Sequence, residues 1–168
     1  MTNELDTRCG FVALIGAPNA GKSTLLNRLV GGKVSIVSHK VQTTRALVRG
    51  IMAHENTQII FVDTPGLFQP KRRLDRAMVN KAWDGAGDSD VVALLIDAQK
   101  GVREDEERIL ANLKDRKQKV ILLLNKIDMV KRESLLALVE KISAQVEFEQ
   151  TFMTVSYTHL TLPTICSV

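Results

Sequence analysis

Short, unbroken apolar runs punctuate the chain at residues 11–15, 59–62, 91–96 and 120–124. Runs of that length without alternation are what strands covered on both faces require, as in a parallel sheet. Between them lie stretches of helical periodicity at 22–30, 74–86, 104–115 and 133–146. In the last of these Leu135, Leu138, Val139 and Ile142 fall on one face at spacings of three and four. Residues 45–53 read as a further strand, paired with 57–62 through a turn at His54, Glu55 and Asn56, and residues 152–155 as a final strand. The alternation predicts an α/β fold: a mainly parallel six-stranded sheet flanked by helices, with one antiparallel edge hairpin. Ligands of such sheets collect outside the carboxyl ends of the strands.

One of those ends carries Gly16-Ala17-Pro18-Asn19-Ala20-Gly21-Lys22-Ser23, followed by Thr24. This is the phosphate-loop pattern G-x-x-x-x-G-K-S, and it falls between an apolar run and a helical one. A Gly-rich loop in that position points successive backbone N–H groups into one concavity, and the helix N-terminus adds partial positive charge there. Lys22 can then reach β- and γ-phosphates, and the Ser23 hydroxyl can ligate Mg²⁺. An ordinary Gly-rich turn before a core helix is the plainer alternative.

Further motifs raise the weight of the phosphate reading. Asp63-Thr64-Pro65-Gly66 ends the run 59–62. An aspartate there can hold Mg²⁺, usually through a water, and Gly66 leaves a backbone N–H open to the γ-phosphate. Taken alone, the same tetrapeptide would be a plain turn. Asn125-Lys126-Ile127-Asp128 follows the run 120–124. A carboxylate at Asp128 can accept from the ring N–H and exocyclic amine of guanine together, a donor pair that adenine lacks, so the wrong base would leave the carboxylate without partners. Asn125 would tie the base to the phosphate loop, and the Lys126 stem would cover the ring. Gln42-Thr43-Thr44-Arg45 lies in the long polar segment 31–45. One threonine hydroxyl, Thr44 with Thr43 as the alternative, would complete the Mg²⁺ shell when GTP is bound, and the loop would order and relax with the nucleotide.

Composition narrows the setting. The 168 residues suffice for one domain with a sizeable core, and 45% hydrophobic with 25% charged residues is ordinary for a globular protein. Aromatics are only 4%, so the core is aliphatic. A net charge of +4 is compatible with an anionic partner but demonstrates none. The densest basic group, Lys71, Arg72 and Arg73, reads as a solvated helix start. Two cysteines, Cys9 and Cys166, make no disulfide framework, no run reaches the ~18 apolar residues of a membrane span, and the first residues carry no apolar segment; a cytoplasmic protein is expected. His39 and His54 lack partners at metal-ligand spacing, Trp83 reads as helix packing, and Asp97 as the start of a loop.

In order and spacing, G-A-P-N-A-G-K-S, Q-T-T-R, D-T-P-G and N-K-I-D resemble the Ras-like GTPases of the translation-factor-related class. The longer strings C-G-F-V-A-L-I-G-A-P-N-A-G-K-S-T-L-L-N and K-V-S-I-V-S-H-K-V-Q-T-T-R resemble its Era family. The resemblance covers roughly residues 8–155 and implies a GTP-hydrolysing switch of 30S subunit assembly that binds GTP or GDP with Mg²⁺. Family members carry a C-terminal KH domain that binds 16S rRNA and associate peripherally with the inner membrane; a monomer is expected. Asn19 is in the position that ligates K⁺ in related cation-dependent GTPases.

The chain also departs from the pattern. The expected Ser-Ala-Lys or Ser-Ala-Leu base motif should begin at Ser156, which is followed here by Tyr157, Thr158 and His159. No G-x-x-G of a KH domain follows, and residues 158–168 contain Pro163 and no helical period, so the last helix of the fold is expected to be missing. Residues 1–7 are expected to be a flexible start, 8–155 the G domain and 156–168 a tail foreign to the family. Leu67 stands where Ras proteins place a water-orienting Gln, so slow hydrolysis is expected, by Lys22, Thr44, Gly66 and Asn19. The rivals are a binding module that turns nothing over and the tandem-domain or tRNA-modifying GTPases, whose switch pattern differs from Gln42-Thr43-Thr44-Arg45-Ala46.

Overall fold

In the computed structural model, residues 7–37, 44, 46–116 and 118–155 are described. Ser156, the tail, Gln42, Thr43, His39 and Cys166 fall outside them. The first strand, β1 (Arg8–Ile15), leads through the phosphate loop to α1 (Lys22–Val30). A hairpin of β2 (Val48–His54) and β3 (Thr57–Asp63) follows, then α2 (Arg73–Gly87), β4 (Val91–Asp97), α3 (Glu104–Lys114), β5 (Lys119–Asn125), α4 (Arg132–Ser143) and β6 (Gln150–Thr154).

The strands form one sheet in the order β2-β3-β1-β4-β5-β6. Only β2 runs antiparallel to its neighbour, at the sheet edge, as the hairpin reading predicted. Several boundaries differ from expectation. The first strand starts three residues early, because Arg8, Cys9 and Gly10 pair with Thr57, Gln58 and Ile59 although their sequence has no apolar pattern. The hairpin's first strand begins at Val48 rather than 45. The helix expected to reach 146 ends at Ser143, and Val146 is buried from the loop beyond it.

Successive strand residues point to opposite faces, so two cores form. Ala13, Ile15, Leu94, Ile96, Leu122 and Leu124 pack beneath α2, α3 and α4. Leu14, Phe61, Ala93, Leu95 and Leu123 pack with Leu25 and Leu26 of α1 on the other side. Each fully buried leucine contributes ~1.5–3 kcal/mol relative to exposure. Polar caps fix where α2 and α3 begin. Asp75 Oδ2 accepts from the Arg72 N–H at 2.9 Å, and Glu106 Oε2 accepts from the Arg103 N–H at 3.1 Å. Trp83 packs on the core under α2, with the Arg116 guanidinium 4.4 Å from its ring centre. No helix among the described residues is long and apolar enough to cross a membrane.

Candidate functional site

The chain leaves β1 toward β3 on one side and later returns to β4 on the other, so the sheet reverses its winding at β1. The phosphate loop starts at that switch point, where doubly wound sheets bind ligands. The strand register sets the flanks. Asp63 is level with Leu14, while Asp97, Asn125 and Thr154 stand in one row across β4, β5 and β6. Residues far apart in sequence thus meet along one edge of the sheet.

Gly16 must be glycine on two counts. Its φ is 150°, and a Cβ there would lie 2.3 Å from the Leu95 carbonyl oxygen. Its own carbonyl accepts from the Leu67 N–H at 3.0 Å, which joins the loop to the segment after Asp63. A Cβ on Gly66 would meet Pro18 at 3.0 Å, so this segment crosses the loop at close quarters. Leu67 itself is buried in the core and presents no polar group.

Lys22 is buried, and its Nζ donates to the carbonyls of Gly16 and Ala17, each at 3.0 Å. Burial pushes its ammonium from 10.5 down to about 8, against the opposing pull of the Asp63 carboxylate. A buried cation wrapped by its own loop is one that an anion entering the loop would stabilise.

Beside it, Asp63 is fully buried. Its Oδ2 accepts from Ser23 Oγ at 2.6 Å, Ser35 Oγ at 2.9 Å and Thr44 Oγ1 at 3.4 Å, and the Ser23 and Thr44 hydroxyls lie 3.1 Å apart. Its Oδ1 is the buried side-chain atom left without a hydrogen-bond partner among the described residues. An orphaned carboxylate oxygen amid hydroxyl oxygens is a hard donor set, which fits Mg²⁺. No cluster of His, Cys, Asp and Glu able to hold a metal exists among the described residues.

On the far side of the loop, buried Asn125 donates from Nδ2 to the Ala20 carbonyl at 2.8 Å, and its Oδ1 accepts from Thr154 Oγ1 at 3.3 Å. Lys126 adopts φ 62°, a left-handed conformation that costs a side-chain-bearing residue ~1–2 kcal/mol. Its Nζ donates to the Asn19 carbonyl at 3.2 Å and to Asp97 Oδ2 at 2.6 Å. Asn19 is likewise left-handed, with φ 62°. Asp128 lies exposed on the 3₁₀ turn Ile127–Met129. Thr24 follows Ser23 in the first turn of α1.

Two residues at the site were not legible as such. Asp97 reads as a loop start, and it does cap the turn, since its Oδ1 accepts from the N–H groups of Gln99 and Lys100. Its other oxygen, however, holds Lys126, so the plain reading is corrected. Ser35 lies in the polar segment 31–45, the loop expected to order and relax with the nucleotide, and no local signal marks it. It is clamped near the start of that segment: Asn27 Oδ1 accepts from the N–H groups of Val34 and Ser35, and Asn27 Nδ2 donates to the Ser35 carbonyl.

The profile of the family described as "50S ribosome-binding GTPase" matches residues 11–126. The GTPase Era of Mesorhizobium japonicum is 65% identical over 147 residues, covering 88% of this chain and 47% of its own. That of Agrobacterium fabrum is 65% identical over 151 residues, covering 90% and 48%. This chain spans about half the length of these curated relatives. A crystal structure of Era with MgGDPNP and a 16S ribosomal RNA segment superposes with a TM-score of 0.83 at 40% identity, over 89% of this chain and 52% of that one. By the profile match and the α/β architecture of a Ras-like G domain, this chain belongs to the 50S ribosome-binding GTPase family, with a nucleotide-binding domain similar to that of Era.

Proposed function

We propose that this domain binds GTP and GDP with Mg²⁺, hydrolyses GTP slowly, and serves as the switch of a protein acting with 16S rRNA in 30S subunit assembly. The observation that carries the reading is the Asn125–Ala20 bond of 2.8 Å, which joins the base-reading turn to the phosphate loop in one site. The ribosomal part rests on the likeness to Era, which has been crystallised with 16S ribosomal RNA.

In this reading the loop N–H groups from Gly16 to Ser23 and the helix terminus cradle the phosphates. Lys22 would leave its own carbonyls for the β- and γ-phosphate oxygens, which favour its ammonium form. Ser23, Thr44 and Asp63 are the oxygen donors that would hold Mg²⁺, which when bound neutralises charge on the phosphates. The backbone N–H of Gly66 would donate to the γ-phosphate. Asp128 accepts two guanine hydrogen bonds, Lys126 flanks the base, and Asn125 keeps the turn in register with the loop. Ser156, where the base motif is expected to begin, is the remaining candidate for contact with the base. Asn19 is the candidate K⁺ ligand, a positive charge that stands in for an arginine finger.

Leu67 has no group to orient water and is packed into the core. That favours low intrinsic turnover and keeps alive a second reading, a guanine-nucleotide module that turns nothing over. Multiple-turnover phosphate release separates the two. Slow, Mg²⁺-dependent release that is faster in K⁺ than in Na⁺ supports the GTPase reading with its Asn19 cation. Equal rates remove the cation, and no turnover above background leaves the binding module.

A further inference from the structure

Three hydroxyls converge on one oxygen, Asp63 Oδ2, while Oδ1 has no partner. A carboxylate oxygen offers about two acceptor directions, so the three donors compete. Two of them, Ser23 and Thr44, are the groups that the nucleotide reading assigns to Mg²⁺. Ser35 is the third, and it is held in a different way.

Its own segment gives it no apolar anchor. Ser35 is 3% exposed while its neighbour Ile36 is 70% exposed, so a polar side chain points inward and an apolar one outward. What turns the segment is Asn27, which accepts from the Val34 and Ser35 N–H groups at 2.9 and 2.8 Å and donates to the Ser35 carbonyl at 2.8 Å. Asn27 stands one helical turn after Ser23 on α1, so both project from the same face. One helix face therefore supplies a candidate metal ligand and the clamp that delivers Ser35 to Asp63.

We infer that Ser35, held by Asn27, is a positioning residue for the Mg²⁺ site: its hydroxyl fixes the Asp63 carboxylate, so that Ser23 can be given up to the ion while a donor outside the ion's shell still orients the carboxylate. The inference rests on reading the Asp63 cluster as the Mg²⁺–nucleotide site. Without Ser35, Ser23 and Thr44 must choose between Asp63 and the ion. Partners that orient metal-site carboxylates are generally worth ~10–100-fold in metal affinity.

The test measures labelled-GDP affinity in Mg²⁺ and in EDTA for the wild-type chain, Ser35→Ala, Ser35→Thr and Asn27→Asp. The Mg²⁺/EDTA affinity ratio isolates the metal's share. Ser35→Ala is expected to cut that ratio by ~10-fold or more while leaving the EDTA affinity within about twofold. Ser35→Thr retains the hydroxyl and the ratio. Asn27→Asp keeps the acceptor but loses the donor to the Ser35 carbonyl, and lowers the ratio in part; it decides the matter if Ser35→Ala does not fold. An unchanged ratio in Ser35→Ala, or an equal loss in both buffers, overturns the inference. A wild-type chain that binds GDP without any Mg²⁺ effect overturns the metal reading as well, and one that binds no GDP overturns the nucleotide reading, so the failures are told apart.

Discussion

Lys126 Nζ and Asp97 Oδ2 stand 2.6 Å apart, with the aspartate side chain 3% exposed and the lysine 27%. The pair bridges the carboxyl ends of neighbouring strands β4 and β5, and the same ammonium reaches the phosphate loop at the Asn19 carbonyl. It thereby offsets the left-handed strain at Lys126 and locks the turn that carries Asp128.

Replacing Asp97 with Asn keeps an acceptor for the turn amides but removes the counter-charge. Asp97→Asn is expected to cost ~1–3 kcal/mol of stability, as expected for a buried charged hydrogen bond, and to weaken GDP binding. Urea unfolding and calorimetric titration check the two effects. Unchanged GDP affinity would show that Lys126 needs no fixing from Asp97.

The lowered pKa of Lys22 makes two pH predictions. In the nucleotide-free chain the folded value is about 8 and the ordinary value 10.5, so between them the unfolded chain holds a proton that the folded one does not. The cost of burying the ammonium is therefore fully present below pH ~8, and this group's contribution makes stability rise with pH across the window. Bound phosphates favour the ammonium, so GDP affinity should fall above pH ~8, at up to about tenfold per pH unit from this one proton. GDP titrations between pH 7 and 9.5 read the slope, and Lys22→Gln should flatten it.

Gly16→Ala sets a Cβ against the Leu95 carbonyl oxygen at 2.3 Å and imposes a strained φ. The expected loss is ~1–3 kcal/mol for the backbone alone, with the clash in addition. Thermal unfolding should show a lower midpoint even without nucleotide. A phosphate-binding defect with an unchanged midpoint would mean that the loop moves freely away from β4.

The α/β fold was legible because each buried strand is a contiguous apolar run and the phosphate-loop, D-x-P-G and N-K-x-D motifs sit at strand ends. What escaped is tertiary. The first residues of β1 are strand only because β3 lies alongside to pair with them. Asp97 looks like a turn cap because it is one, and nothing local announces that its second oxygen meets Lys126. Ser35 is flanked by the exposed apolar Val34 and Ile36, and Asn27, eight positions earlier on a helix, turns it inward toward Asp63.

The most direct test of the guanine-nucleotide site is a titration of labelled GDP into the chain with Mg²⁺, competed by GTP, GDP and ATP. Saturable binding displaced by GTP and GDP but not by ATP is the predicted result if Asp128 reads the base as proposed, since a carboxylate there pairs with guanine and not with adenine. Equal displacement by ATP, or no saturable binding in a sample whose circular dichroism shows it folded, would contradict it.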